Sequence, residues 1–328
     1  MEKTTVLEFL QKNVEDVENR LATAEIPRDP AGLYDAVTYV LQSPGKRLRP
    51  QLVMAAAEMF GGSRAVAIEV GAAMEIFHIF TLVHDDIMDR SDSRRGRQTI
   101  HIRWDEPTAI LAGDYLLGRA SELLLALPDA TLRQGLARFA ETVRALCEGQ
   151  IRDMSFESEK DVKLDDYLQM IDQKTSALLS TSLVLGALTG NASADDVSLL
   201  NQIGHHLGQA FQIQDDLLDL TASSSGWGKP VGGDLVAGKK TFLLLNALEI
   251  ERATGADYFH QVISRGGLDE GEIEMAQSLL TEMGVLESAE KAVLLHSNQA
   301  ENLCNSLPHS MGKQALVSLI KKMAVRIH

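Results

Sequence analysis

With 328 residues, 45% of them hydrophobic, the chain can bury a substantial core and reads as globular. Its formal charge of -15 excludes a nucleic-acid partner and electrostatic docking onto anionic lipid, so any anionic ligand must find local positive charge. The two cysteines, Cys147 and Cys304, form neither a CxxC pair nor a disulfide framework, which suits a reducing, cytoplasmic setting.

The first 21 residues, MEKTTVLEFLQKNVEDVENRL, carry charges every few positions and predict an amphipathic helix rather than a signal peptide. No 18-residue apolar run is read anywhere along the chain, so no transmembrane helix and no stable membrane insertion are expected. No proline occurs between Pro128 and Pro230, nor between Pro230 and Pro308, and long proline-free stretches favour helices. Within them apolar residues recur at helical spacing, as in Leu178, Leu179, Leu183, Leu185 and Leu188, while sustained strand alternation is hard to find. The expectation is a single all-α domain over residues 1–328, without internal repeats. Three basic or glycine-rich loops punctuate it: SPGKRLRP at 43–50, SDSRRGRQTIH at 91–101 and TASSSGWGKPVGGDLVAGKK at 221–240.

The segment Met74 to Asp92, MEIFHIFTLVHDDIMDRSD, is an apolar helix that ends in carboxylates. Asp85 and Asp89 stand one turn apart on one face, and Asp86 lies about 100° round the axis. Carboxylates one turn apart suit a hard divalent cation that keeps waters and phosphate oxygens as its other ligands. A helix C-terminus already carries partial negative charge, so acids there are unfavourable unless a cation offsets them. The pattern recurs in GQAFQIQDDLLDL at 208–220, with Asp215, Asp216 and Asp219, and with Gln212 one turn before Asp216. One such motif is compatible with a solvated helix end; two, each closing an apolar run, point to function.

Lys46 and Arg49 in GKRLRP, Arg94 and Arg95 after the first acid cluster, and Lys229, Lys239 and Lys240 after the second then read as counter-charges for an anion. Lys174 and Thr175 add a polar pair inside an apolar helix. Gly233 to Lys239 fits GxxxxGK, but Lys240 stands where a nucleotide loop needs Ser or Thr and no strand precedes it. Glu75 and His78 make one ExxH where a di-iron bundle needs two, and adjacent His205 and His206 point to different sides of a helix.

The order GKRLRP, HDDIMD, RRG, GQxxD, KT, GQAFQIQDDLLD, then GK and DLxxGKKT resembles the trans-prenyl diphosphate synthases over about residues 40 to 245. That resemblance implies an isoprenoid-synthase-type all-α bundle around a central cavity. It also implies a homodimer that condenses isopentenyl diphosphate, head to tail, onto an allylic diphosphate. Carried over by position, Asp85, Asp86, Asp89, Asp215, Asp216 and Asp219 would hold three Mg²⁺ against the allylic diphosphate. Arg94, Lys174, Lys229 and Lys239 would complete that site, with Thr175 and Gln212 lining it. Isopentenyl diphosphate would sit, without metal, against Gly45, Lys46, Arg49, His78 and Arg95. Gln98 replaces a proline common in the family and removes no ligand, and the chain beyond about residue 250 is expected to be packing and lid.

Product length should be set on the same helix, where Phe80 and Phe77 lie five and eight residues before Asp85, roughly 7 to 12 Å down the axis. With the small Thr81 one turn before Asp85, this pattern resembles geranylgeranyl (C20) synthases, with farnesyl (C15) as the alternative reading. Ordinary core rings are the other reading of Phe77 and Phe80. A terpene cyclase, whose second motif is an Asn/Asp, Ser/Thr, Glu triad, and a non-catalytic regulatory subunit, which loses an aspartate motif, fit less well.

Overall fold

The structure, a computed structural model, describes residues 2–23, 25–159, 161–221 and 231–324. It is helical throughout, apart from one two-stranded ribbon among the described residues. In chain order the helices are α1 (Glu2–Ala22), α2 (Ala31–Leu41), α3 (Leu48–Met59), α4 (Arg64–Met88), α5 (Ile100–Arg103), α6 (Glu106–Leu123), α7 (Asp129–Phe156), α8 (Leu164–Ile171), α9 (Ala177–Ala187) and α10 (Ala194–Thr221). The turn Gly233–Val236 and the helices Phe242–Thr254, Tyr258–Ser264, Ile273–Glu282, Val285–Cys304 and Met311–Ala324 follow.

The chain divides into two compact units, each assembled from separated stretches. The first comprises Met1–Glu141, Leu178–Asn201 and Ser306–Ser318, and the second Thr142–Ala177, Gln202–Asn305 and Leu319–His328.

In the first unit α1 buries Val6, Leu10, Val17 and Leu21, positions that fall on one helical stripe between charged residues. α3 is buried nearly all round, from Leu52 to Ala57, because two neighbouring backbones come unusually close. A Cβ on Gly186 would stand 2.9 Å from the Val53 Cα, and one on Gly312 would stand 2.8 Å from the Glu58 carboxylate. α6 opens on an Asp105 cap, whose carboxylate accepts the Thr108 N–H at 2.7 Å, with Pro107 in the first turn.

α4 packs against α1, α3 and α6. It corrects the premise that no 18-residue apolar run occurs, since by length and composition it is the one described helix able to cross a membrane. Of its most apolar window 61% is buried, including Phe77, Met74 and Ile76, so it is the central core helix of its unit. The loop at 91–101 also holds more order than its composition suggests. Ser93–Arg94 pairs with Arg97–Gln98 around Arg95 (φ 53°) and Gly96 (φ 73°), the left-handed pair that a tight hairpin turn requires.

In the second unit Ile213, Leu217 and Leu220 of α10 pack with Tyr167, Met170 and Ile171 of α8 and with Phe242 to Leu245. Val285, Ala289 and Val293, at four-residue spacing, close this core, so this part of the C-terminal third is packing, as expected. Between α8 and α9 the residues Asp172–Ser176 form a single π-helical turn. Such turns are rare in helices and frequent at functional sites.

Candidate active site

In the first unit the acidic end of α4 splits into two roles. Asp85 occupies the last turn and Asp89 caps it, its N–H donating to the Asp85 carbonyl at 2.8 Å. Asp89 is exposed and Asp85 half-buried, one turn apart, as the spacing predicts. Asp86 turns inward and accepts the Arg94 Nε–H at 2.6 Å. Burial pushes its carboxyl up from the ordinary carboxylate value, and the Arg94 guanidinium works against that shift.

Beside this end lies a cavity lined by Arg47, Glu75, His78, Arg94, Arg95 and Arg97, together with Tyr39 and Asp86. Glu75 sits mid-helix at 3% exposure and receives Arg47 at 2.8 Å. Arg47 adopts a left-handed backbone (φ 48°) and also donates to the Ser43 carbonyl at 3.0 Å. Arg95 donates to the Pro44 carbonyl, and Gly45 leaves the room for this, since a Cβ there would stand 3.0 Å from Arg95 and 3.1 Å from Arg47. Arg97 lies 3.9 Å over the Tyr39 ring and donates to the Ser43 hydroxyl at 3.2 Å.

Four guanidiniums thus face two carboxylates, a local positive surplus in an acidic chain. Burial, and then the nearby Arg49, Arg95, Arg94 and Arg47, hold His78 well below its ordinary value, so it is a neutral imidazole among cations. Burial likewise lowers Arg49 to about 10, with Glu75 opposing the shift. Of the residues expected at a metal-free anion site, His78 and Arg95 line the cavity, Gly45 shapes it and Arg49 neighbours it electrostatically. Lys46 is exposed and outside the lining. Arg47, Arg97 and Glu75 join the lining beyond the residues expected there from the sequence. The usable signal was Glu75 itself, on the same helix face as His78 and needing a buried counter-ion.

Downhill of the carboxylates, Phe77 is fully buried, stacked on Phe80 (5.6 Å between centroids) and edge-on to Phe139 (4.7 Å). Phe80 is half-buried and also meets His84, and the Thr81 hydroxyl donates to the His78 carbonyl at 2.8 Å. Phe77 is therefore a core ring, while Phe80 is the ring with an accessible edge.

The second unit gathers the other motif. Asp216 is 4% exposed and accepts Tyr167 Oη–H, the Phe242 N–H at 3.0 Å and Gln212 Nε2–H at 3.3 Å. Burial, with Asp234 second, raises it to about 8, the three donors opposing. Asp219 is also buried and accepts the Asp234 N–H at 3.0 Å, while Asp215 is half-buried. The Thr175 hydroxyl donates to Gln212 Oε1 at 3.0 Å, so Thr175, Gln212 and Asp216 form one hydrogen-bonded chain. Lys174 is held by Asp153 at 2.6 Å, exposed Lys239 lies 3.9 Å from Asp234, and Lys240 is buried against the Phe156 carbonyl. Lys229 lies outside the described residues.

Among the described residues no three His, Cys, Asp or Glu side chains are gathered into a metal cage. A Mg²⁺ ion is usually bound through one or two carboxylates plus waters and substrate phosphates. Asp85 and Asp89, one turn apart at the end of α4, offer an all-oxygen pair of that kind.

An all-α chain with helix-end carboxylates and an arginine-lined cavity suits an enzyme that handles phosphorylated anions. The polyprenyl synthetase family model matches residues 30–280, and the chain belongs to that family of prenyl-transferring enzymes. A short chain isoprenyl diphosphate synthase from Methanothermobacter thermautotrophicus is 35% identical over 98% of this chain and 99% of its own. A geranylgeranyl diphosphate synthase from Methanosarcina mazei is also 35% identical, over 97% and 99%. The crystal structure of geranylgeranyl pyrophosphate synthetase from Pyrococcus horikoshii superposes with a TM-score of 0.91 at 32% identity, covering 99% of this chain and 100% of that one, and carries the same all-α fold.

Proposed function

We propose that the protein condenses isopentenyl diphosphate with allylic diphosphates, in 1'-4 fashion, to give geranylgeranyl diphosphate. The observation that carries this reading is the cavity along α4, where Arg47, Arg94, Arg95 and Arg97 surround neutral His78 within about two turns of the Asp85–Asp89 pair. Isopentenyl diphosphate belongs in the arginine cavity, where fixed guanidiniums alone can neutralise it. The allylic diphosphate belongs to the carboxylates Asp85, Asp86, Asp89, Asp215, Asp216 and Asp219, with Arg94, Lys174, Lys229 and Lys239 as added cations. Bound Mg²⁺, three per site in this proposal, supplies Lewis-acid stabilisation of the leaving diphosphate.

The chain's own part is electrostatic and positional. Lys174 and Arg94 stabilise charge on the diphosphate as the allylic C–O bond breaks and its electron pair leaves with pyrophosphate. Thr175 and Gln212 present oxygen atoms toward the allylic cation. The arginine cavity holds the isopentenyl double bond for attack on the allylic carbon, and the proton then lost goes to pyrophosphate. Phe80 ends the channel for the growing chain. We further propose that the protein acts as a cytoplasmic homodimer and one catalytic domain; its cysteines, exposed Cys147 and buried Cys304, form no disulfide among the described residues.

Purified protein incubated with Mg²⁺, isopentenyl diphosphate and C5, C10 or C15 primers should yield mainly C20. A C15 end product would move the assignment to farnesyl diphosphate, and no turnover with any primer would sink the reading.

A further inference from the structure

The π-helical turn Asp172–Ser176 is gripped residue by residue, all within the second unit. On one side, α7 supplies Glu148, which receives Gln173 Nε2 at 2.8 Å, and Asp153, which receives Lys174 Nζ at 2.6 Å. Between them is Gly149, where a Cβ would stand 2.8 Å from the Lys174 amide nitrogen. On the other side, α10 presents one stripe at helical spacing. His205 Nδ1 bonds Asp172, Gly208 abuts Ser176, Gln209 donates to the Leu168 carbonyl at 3.0 Å, and Gln212 accepts from Thr175 at 3.0 Å. A Cβ on Gly208 would stand 2.6 Å from the Ser176 Cβ.

A π turn holds one residue more than the α-helical turn it replaces. Relaxation to α register would rotate Lys174 and Thr175 by about 100° and carry them off their present face. Something must hold the widened turn, and its first residue, Asp172, is held by His205. That pair is not needed for the core, because the two side chains are 41% and 40% exposed. The histidine pair next to it, His206 Nδ1 to His296 Nδ1 at 3.1 Å, fixes the ring face against which His205 rests at 5.1 Å.

We propose that His205, acting through Asp172, is a positioning residue for prenyl transfer, locking the π-helical turn in the register that presents Lys174 and Thr175 to the allylic diphosphate. This rests on the functional reading above, which assigns Lys174 and Thr175 to that substrate.

The test is a mutant cycle read by calorimetric Kd for farnesyl diphosphate with Mg²⁺ and by steady-state KM for both substrates. Loss of a charge-assisted hydrogen bond that sets a binding register should weaken allylic binding by about tenfold in His205→Gln, leaving the KM for isopentenyl diphosphate and the Tm unchanged. His205→Asn, whose amide nitrogen replaces Nδ1, should stay within about threefold of wild type. In a Lys174→Ala/Thr175→Ala background, His205→Gln should cost nothing further. Equal losses in both backgrounds, wild-type binding by His205→Gln, or an Asn variant as weak as the Gln one would each overturn the positioning role. Wild-type turnover is measured first. Its absence would sink the function itself, whereas turnover with any of those three outcomes sinks only the lock.

Discussion

Glu75→Gln is the substitution with the most to say about the arginine cavity. Glu75 and Arg47 are 4% and 5% exposed at the side chain, joined at 2.8 Å, and the carboxylate also supports Arg49 and Arg95. Removing the buried carboxylate leaves Arg47 only half-exposed Glu18, 3.5 Å away, as an ion-pair partner, at a cost of up to about 3–5 kcal/mol. At roughly 2 °C per kcal/mol for a large domain, the Tm should fall by up to about 6–10 °C. The guanidiniums would then be short of an anion, so inorganic pyrophosphate should raise the variant's Tm by more than it raises that of wild type, through preferential binding to the folded state. Differential scanning fluorimetry across a pyrophosphate titration reads both effects. An unshifted Tm, or pyrophosphate stabilisation no greater than in wild type, would refute Glu75 as the cavity's counter-charge.

Phe80→Ala should lengthen the product by at least one isoprene unit, read by chromatography, whereas Phe77→Ala should mainly lower the Tm, because Phe77 is wholly buried. Gly208→Ala should destabilise the protein and abolish turnover, since the new Cβ meets Ser176; Gly118→Ala, with nothing within 4 Å, should stabilise by about 0.4–1 kcal/mol in thermal melts. His296 is held down to about 4, by burial first and then by His206, so in the folded state it stays neutral while the unfolded chain protonates it below about 6.5. Its contribution is therefore a loss of stability as pH falls from about 6.5 toward 4, and His296→Gln should flatten the fall in Tm between pH 7 and pH 4.5.

Local pattern was enough to place the acidic helix ends and the basic loops. The Met74–Asp92 pattern gave α4 and its acidic end, and seven-residue separation put His78 and Asp85 on one helix face. What stayed hidden was closed by distant partners. Arg47 becomes a cavity residue only when it meets Glu75, 28 positions away, and Asp216 only when Tyr167 and Phe242 converge on it. The π turn was invisible because its residues, DQKTS, carry no mark of the one extra residue in the turn. Arg95 and Gly96 make a hairpin turn whose positive φ at arginine has no compositional signature. Partition into two units built from separated segments follows from tertiary packing alone.

α4 has a consequence for how such an enzyme can diversify. The cavity's counter-charge Glu75, the neutral His78, the ring Phe80 and the acid Asp85 all ride on one unbroken 25-residue rod, which Asp89 caps. If Phe80 ends the product channel as proposed, exchanging that one side chain would alter its depth while every other group on the rod keeps its place. Adding or deleting one residue between Glu75 and Asp85 would turn one end about 100° against the other and decouple them. Tolerance to point substitution and intolerance to insertion are thus built into the same helix.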